Sequence, residues 1–208
     1  MEFEISEEQR KGLYEEVQRI TPHSDLYFPD HVLPIARNCF VYSQHLRKTG
    51  ETSHPLATHP VICELAGLLH DIGYTKEYES NEADHIARGV EMAPRILERF
   101  DITGEFAERI VGCIWTHDGH LNRSRYHDLN NFMDNIIVND VDAMQFFDWP
   151  FPSLLEFSSR LQPRKKELDI QTGLIKHANH TYNLIIHGLF KRLAKPKYEA
   201  FVNFLKSY

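Results

Sequence analysis

The chain has few cysteines and no long hydrophobic run. Its three cysteines, Cys39, Cys63 and Cys113, stand singly among apolar residues. This placement predicts buried, reduced thiols rather than a disulfide framework or a Cys-x-x-Cys metal knuckle. No segment is both long and apolar enough to span a bilayer, so we expect no membrane partner. The acidic start, residues 1–8, lacks the pattern of a signal peptide, and a cytoplasmic location is the default expectation.

Positive charge is also scarce, because 23 Lys and Arg residues face 30 Asp and Glu residues, which gives a formal net charge of −7. Extended nucleic acid is therefore not an expected partner, since its binding needs a basic surface that displaces counterions from phosphates. A small anionic substrate remains compatible with local basic patches and a metal ion.

The length of 208 residues allows a substantial core. We expect one domain over residues 1–208, and assembly into a homodimer stays open.

The apolar–polar alternation of a half-buried strand is absent, and helical periodicity dominates. The first helix should begin at Ser6, which can form a capping box with Gln9. The helix over about 60–70 is apolar almost all round, which indicates a central core helix. Pro94 predicts a kink or a break in the helix over about 81–100. We thus predict an all-α fold, with helices over about 6–20, 30–46, 60–70, 81–100, 103–116, 130–147, 153–161, 171–193 and 196–206.

His70 and Asp71 stand together where the apolar run of the third helix ends. An imidazole and a carboxylate suit a borderline or hard divalent cation, and neighbouring residues at a helix end can turn toward one ion. A lone histidine on an apolar helix is more often a core residue than a ligand. A metal site becomes the better interpretation only if further metal-capable residues stand at helix ends or core-facing turns. The chain has four of them, which are His31, His85, His117 and Asp142.

The order of these residues resembles the HD superfamily of metal-dependent phosphohydrolases, in which a first His precedes a His-Asp doublet and a distant Asp lies on a later helix. The matching stretches are DHVLPIA at 30–36, LLHDIG at 68–73 and NDVDAM at 139–144. The resemblance implies a single HD-type helical bundle with its core over about 30–147. Helices over about 153–206 would pack on that core.

The resemblance also implies a ligand set. The last stretch offers Asp140 and Asp142, which lie about 200° apart around a helix and cannot easily serve one ion together. We assign Asp142 to the metal, because its following Ala-Met fits the family's ending, and leave Asp140 as a group that supports the ligands, binds substrate or takes part in catalysis. Family members with two ions add two histidines between the doublet and the last Asp. The implied ligands of one or two divalent ions (Fe, Mn, Co, Mg or Zn) are His31, His70, Asp71, His85, His117 and Asp142.

The turn after the doublet departs from a common family pattern. Many members continue as His-Asp-Ile-Gly-Lys, whereas here Tyr74 takes the place of the lysine and Lys76 follows two residues later. Lys76, Arg88 and Arg123 are candidates for binding substrate phosphate, since guanidinium groups grip phosphate bidentately and lysine supplies a point charge. A solvated loop or a surface salt bridge is the alternative for each of them.

We therefore expect hydrolysis of a phosphoester in a small, nucleotide-like substrate by metal-activated water, with Asp71 bridging two ions. If only one ion binds, Asp118 or Asp140 could orient the water as a general base. One alternative is an oxygen-using di-iron enzyme of the same superfamily with the same six ligands. Another is a nonenzymatic sensor that binds a nucleotide in a degenerate pocket, although the intact ligand set weighs against it.

Overall fold

Within the described residues, 4–21, 25–50, 58–74, 85–117, 133–161 and 167–207, every regular element of the computed structural model is a helix. The predicted all-α fold is confirmed. Among these helices, none combines the length and apolar character that a membrane span needs. The elements are α1 (Glu7–Ile20), a π-helical turn (Phe28–Val32), α2 (Leu33–Thr49), α3 (Pro60–Leu69), α4 (His85–Glu98), α5 (Gly104–Thr116), α6 (Met133–Gln145), α7 (Phe151–Leu161), α8 (Glu167–Leu184) and α9 (Gly188–Ser207).

Helix α3 is the central helix, as its apolar sequence predicts. Every residue of α3 except Val61 is buried, and the helix packs against α2, α5 and α6. Burial of a leucine such as Leu65 contributes about 1.5–3 kcal/mol, so the apolar surface of α3 strongly favours this position. A Cβ atom at Gly67 would lie 3.2 Å from the Cα of Ala36, and the glycine thus allows α2 and α3 to approach closely.

The three cysteines belong to this core. Cys39, Cys63 and Cys113 are fully buried and unpaired with one another, as the sequence predicts. Burial raises the pKa of each thiol well above its ordinary value. Because the thiolate is the reactive form, these buried thiols are expected to be unreactive.

The first helix begins as its sequence predicts. The backbone N–H of Gln9 donates to the Ser6 hydroxyl at 3.1 Å, and the Ser6 N–H donates to Gln9 Oε1 at 2.9 Å. The Gln9 amide also donates to the carbonyl of Phe100 at 2.7 Å, which ties α1 to the turn after α4. Helix α4 itself continues through Pro94 without the break that proline allows.

The C-terminal helices differ from the prediction. A single helix over 171–193 is wrong, because α8 ends at Leu184 and α9 starts at Gly188, so that Pro196 lies inside α9. The backbone N–H groups of Ile186 and His187 donate to the carboxylate of Asp140 instead of to a helical ladder. This contact with α6 separates the two helices, and both of them pack on α6.

Candidate metal centre

Six metal-capable side chains from different parts of the chain meet where α3 ends. Most of them lie at or next to the end of a helix, so the packing of the helices brings these side chains together. They are His31 of the π-helical turn, His70 and Asp71 after α3, His85 at the start of α4, His117 after α5 and Asp142 of α6. The structure thus brings together the six residues that the sequence analysis selected as ligands.

The first group combines His31, His70 and Asp142, whose donor atoms lie within 4.8 Å of one another. The Nε2 atoms of His31 and His70 are 3.6 and 3.7 Å from Asp142 Oδ1. The same nitrogens are 3.4 and 3.1 Å from Asp71 Oδ2. Four side-chain donors can therefore face a single ion.

The second group combines Asp71 with His85 and His117. Asp71 Oδ1 lies 3.6 Å from His85 Nε2 and 3.4 Å from His117 Nε2. The two nitrogens are themselves 3.4 Å apart. Asp71 thus directs one carboxylate oxygen toward each group.

Both groups fit a divalent metal. Two ligands at about 2.1 Å from one ion, at a tetrahedral angle, lie about 3.4 Å apart, which matches the distances between these donors. His70 Nε2 and Asp71 Oδ2 face each other at 3.1 Å in a buried position. A divalent ion would give both of these buried polar atoms a coordination partner. Nitrogen and carboxylate donors together suit first-row divalent metals.

Two of the histidines are oriented by the helices that they follow. His70 Nδ1 is 2.8 Å from the carbonyl of Gly67, and His117 Nδ1 is 2.6 Å from the carbonyl of Ile114, in each case three residues earlier. A carbonyl can only accept, so each Nδ1 carries the hydrogen. The Nε2 lone pair of each ring is consequently directed into the cluster, as metal-binding histidines require.

A family model for the HD domain matches residues 42–184, which is more than half of the chain. The chain belongs to the HD domain family. HD domains bind divalent metals and are generally hydrolases. His31 lies before the matched residues, so its place in the centre follows from the geometry. Searches of the curated proteins and of the solved structures gave no significant match.

Two of the candidate ligands, His70 and His117, have a pKa above that of an ordinary histidine. Burial lowers the pKa of His70, but the Asp71 carboxylate overcomes this effect and raises the pKa to about 9. Burial also lowers the pKa of His117, but the Asp71 carboxylate outweighs burial and the pKa is raised overall. Burial raises the pKa of Asp71, while His70 and the other histidines bring it well below its ordinary value. A divalent ion would therefore compete with protons for these side chains.

Aromatic rings contact two of the ligands. Trp149 stacks on His31, with centroids 4.8 Å apart and an interplanar angle of 20°, and Tyr27 lies 4.8 Å from the same histidine. Tyr74 stacks on His85 at 4.3 Å and 10°. The residue that replaces the family's lysine thus packs on a candidate ligand.

The contact of Tyr27 with the centre is not among the features that the sequence predicts. The available signal was its spacing, because residues four apart share one face of a helix and Tyr27 lies four residues before His31. Trp149 is buried, with an exposure of 6%.

Asp140 requires a correction. Its carboxylate accepts the N–H groups of Ile186 at 2.9 Å and His187 at 2.7 Å, as well as the side-chain amide of Asn139 at 2.9 Å. Burial raises its pKa to about 6, although these hydrogen bonds oppose the shift. The expected role as a substrate or catalytic group is replaced by a structural one, because both oxygens hold the connection between α8 and α9. Asp142, the residue chosen as a ligand, is the one beside the histidines.

Arg88 lies beside the turn that follows the doublet. Its Nε–H donates to the carbonyl of Gly73 at 2.9 Å. A Cβ atom at Gly73 would be 1.7 Å from the carbonyl oxygen of His85, so only glycine allows this close packing of the turn against α4. Arg88 thus secures the turn, and its phosphate contact stays a prediction.

The other predicted substrate and catalytic residues, Lys76, Asp118 and Arg123, lie outside the described residues.

Proposed function

We propose that this HD domain hydrolyses a phosphoester of a small, nucleotide-like substrate at a centre of two divalent ions. The observation that supports the proposal is the position of Asp71, whose two oxygens face two different sets of histidines. A carboxylate in this position is suited to bridge two ions at the separation typical of two-metal hydrolases.

The first ion would be held by His31, His70, Asp142 and Asp71 Oδ2, and the second by His85, His117 and Asp71 Oδ1. Four imidazoles make the set rich in nitrogen. Because magnesium prefers oxygen ligands, we expect iron, manganese, cobalt or zinc to bind more tightly than magnesium.

Bound divalent ions supply a water of lowered pKa and stabilise the attacking and leaving oxygens of phosphoryl transfer. The contribution of the chain is to hold the donors in place. The carbonyls of Gly67 and Ile114 fix the tautomers of His70 and His117. The carboxylates of Asp71 and Asp142 offset part of the positive charge of the ions.

The substrate would approach on the side of Asp142. The side chain of Asp142 is 24% exposed, whereas those of the other five candidate ligands are at most 9% exposed. Tyr27 and Trp149 pack against the ring of His31. With a net charge of −7 the protein offers no broad attraction for phosphate, so ions and local cations such as Arg88, Lys76 and Arg123 would provide it. A cytoplasmic location is part of the proposal, and assembly into a homodimer stays open.

The test is a metal-dependent hydrolysis assay. Metal-stripped protein is loaded separately with Mn, Fe, Co, Mg or Zn and offered 5′-mononucleotides, cyclic dinucleotides and dinucleoside polyphosphates. We expect phosphate or nucleotide release with at least one redox-silent ion, and its loss in His70→Ala and Asp71→Ala. The matched control is His45→Ala, because His45 is an exposed histidine of α2. Unchanged activity in both ligand variants would contradict the proposal, and oxygen uptake with iron alone would indicate a di-iron oxygenase instead.

A further inference from the structure

Tyr27 contacts two of the six candidate ligands. Its hydroxyl donates a hydrogen bond to Asp71 Oδ2, and its ring centroid lies 4.8 Å from that of His31. The side chain is buried, with an exposure of 5%. It therefore links the ligand that would bridge the two ions with a ligand of the first ion alone.

The hydrogen bond restricts the orientation of the Asp71 carboxylate. A carboxylate on Cβ can rotate, and rotation would move both oxygens away from their histidines. Oδ2 is the oxygen that faces His31 and His70, and it is also the oxygen to which Tyr27 donates. With Oδ2 held in this way, Oδ1 remains directed at His85 and His117.

His31 depends on ring packing for its orientation. Its Nδ1 is buried and makes no hydrogen bond to any residue that the structure describes, in contrast to Nδ1 of His70 and His117. The rings of His31, Tyr27 and Trp149 form a triangle with centroid distances of 4.8, 4.8 and 5.7 Å. The π-helical turn contributes as well, since the Leu33 N–H donates to the carbonyl of Phe28 five residues earlier and thus shapes the segment that carries His31.

We propose that Tyr27 is a positioning residue of the metal centre, which orients Asp71 through its hydroxyl and His31 through its ring. This inference rests on the proposed two-ion centre. Groups that hydrogen bond to metal ligands typically change metal affinity by about 10–100-fold when they are removed. Because Asp71 serves both ions, loss of the hydroxyl should weaken both, and the ion at Oδ2 should be weakened more.

The test compares Tyr27→Phe with Tyr14→Phe. The first substitution keeps the ring against His31 and removes only the hydroxyl. The second removes an equivalent hydrogen bond, because the Tyr14 hydroxyl donates to Glu64 Oε1 at 3.0 Å. Glu64 lies on α3 six residues before His70, about 9 Å along the helix axis.

Cobalt affinity is measured by competition with a chelator, together with the visible absorption of the cobalt-loaded protein and its urea unfolding. We expect both variants to lose comparable stability. Only Tyr27→Phe should bind cobalt about 10–100-fold more weakly and shift the absorption bands, which report the ligand geometry. Wild-type affinity and unshifted bands in Tyr27→Phe, alongside two ions in the wild type, would overturn the role of Tyr27 and leave the proposed function intact. A wild-type chain that binds one ion or none would overturn the two-ion centre itself.

Discussion

The Nε2 atoms of His85 and His117 lie 3.4 Å apart, and both face Oδ1 of Asp71. His117 donates its Nδ1–H to the carbonyl of Ile114, so its Nε2 presents a lone pair to this group. The carboxylate oxygen presents further lone pairs. A cation between them would satisfy these lone pairs together, so this group is the candidate site of a second ion.

Removal of His117 should abolish binding of the second ion and leave the first ion bound. In His117→Ala we expect the number of bound ions to fall from two to one, because the second group loses one of its three donors while the first keeps all four. The affinity for the second ion should fall by more than the roughly 100-fold that loss of an outer partner costs. Metal content after gel filtration measures the change, with His45→Ala as the control. Two ions retained in His117→Ala would exclude the second group as a binding site.

Metal affinity should rise with pH. Burial lowers the pKa of His70, yet Asp71 raises it from 6.5 to about 9, so the folded chain holds this proton more tightly than the unfolded chain. Protonation of His70 thus stabilises the metal-free protein fully below about pH 6.5, and the contribution is lost as the pH rises through about 9. A metal ion needs the neutral imidazole.

Chelator competition between pH 6 and pH 9 should therefore show tighter binding at the higher pH, and thermal unfolding of metal-stripped protein should show a lower melting temperature near pH 9. Metal affinity that does not change over this range would contradict the protonation of His70.

Asp140 should matter for stability and not for metal binding. Asp140→Ala removes the acceptor of two backbone N–H groups, those of Ile186 and His187. Each unsatisfied buried group costs about 1–3 kcal/mol, so we expect the free energy of unfolding to fall by about 2–6 kcal/mol. Urea unfolding measures this loss, and metal analysis of the folded variant should still give two ions. Lost metal with unchanged stability would return Asp140 to the site.

Tyr74 should support the second ion through its ring. Stacking between aromatic rings contributes about 0.5–1.5 kcal/mol, which corresponds to roughly a two- to tenfold change in affinity. We expect Tyr74→Ala to weaken the second ion by this factor, because Tyr74 lies flat on His85. Tyr74→Phe keeps the ring and should bind like the wild type. Equal weakening in both variants would mean that the hydroxyl, not the ring, is responsible.

The six candidate ligands could be selected from the sequence because their residue types and order carry the signal. His70 and Asp71 end an apolar helix, and a ligand at a helix end needs only the local backbone to reach the cluster. The choice of Asp142 over Asp140 followed from their separation around the helix together with the family pattern. In the structure, Asp142 lies beside His31 and His70, and its role as a ligand stays a prediction.

Other features depend on contacts that a sequence does not display. The break between α8 and α9 requires Asp140 of a distant helix, so periodicity alone extends a single helix across Ile186. In the sequence, Tyr27 and Trp149 cannot be distinguished from ordinary core residues. Their contact with the metal centre is visible only in the structure, where both rings pack against His31.

Anomalous diffraction from manganese-loaded crystals would show directly whether two ions bind and whether Asp71 lies between them. A two-ion centre should give two peaks about 3.5–4 Å apart, one beside each oxygen of Asp71. The first should contact His31, His70 and Asp142, and the second His85 and His117. A single peak, or a pair of peaks that Asp71 does not bridge, would contradict the two-ion centre.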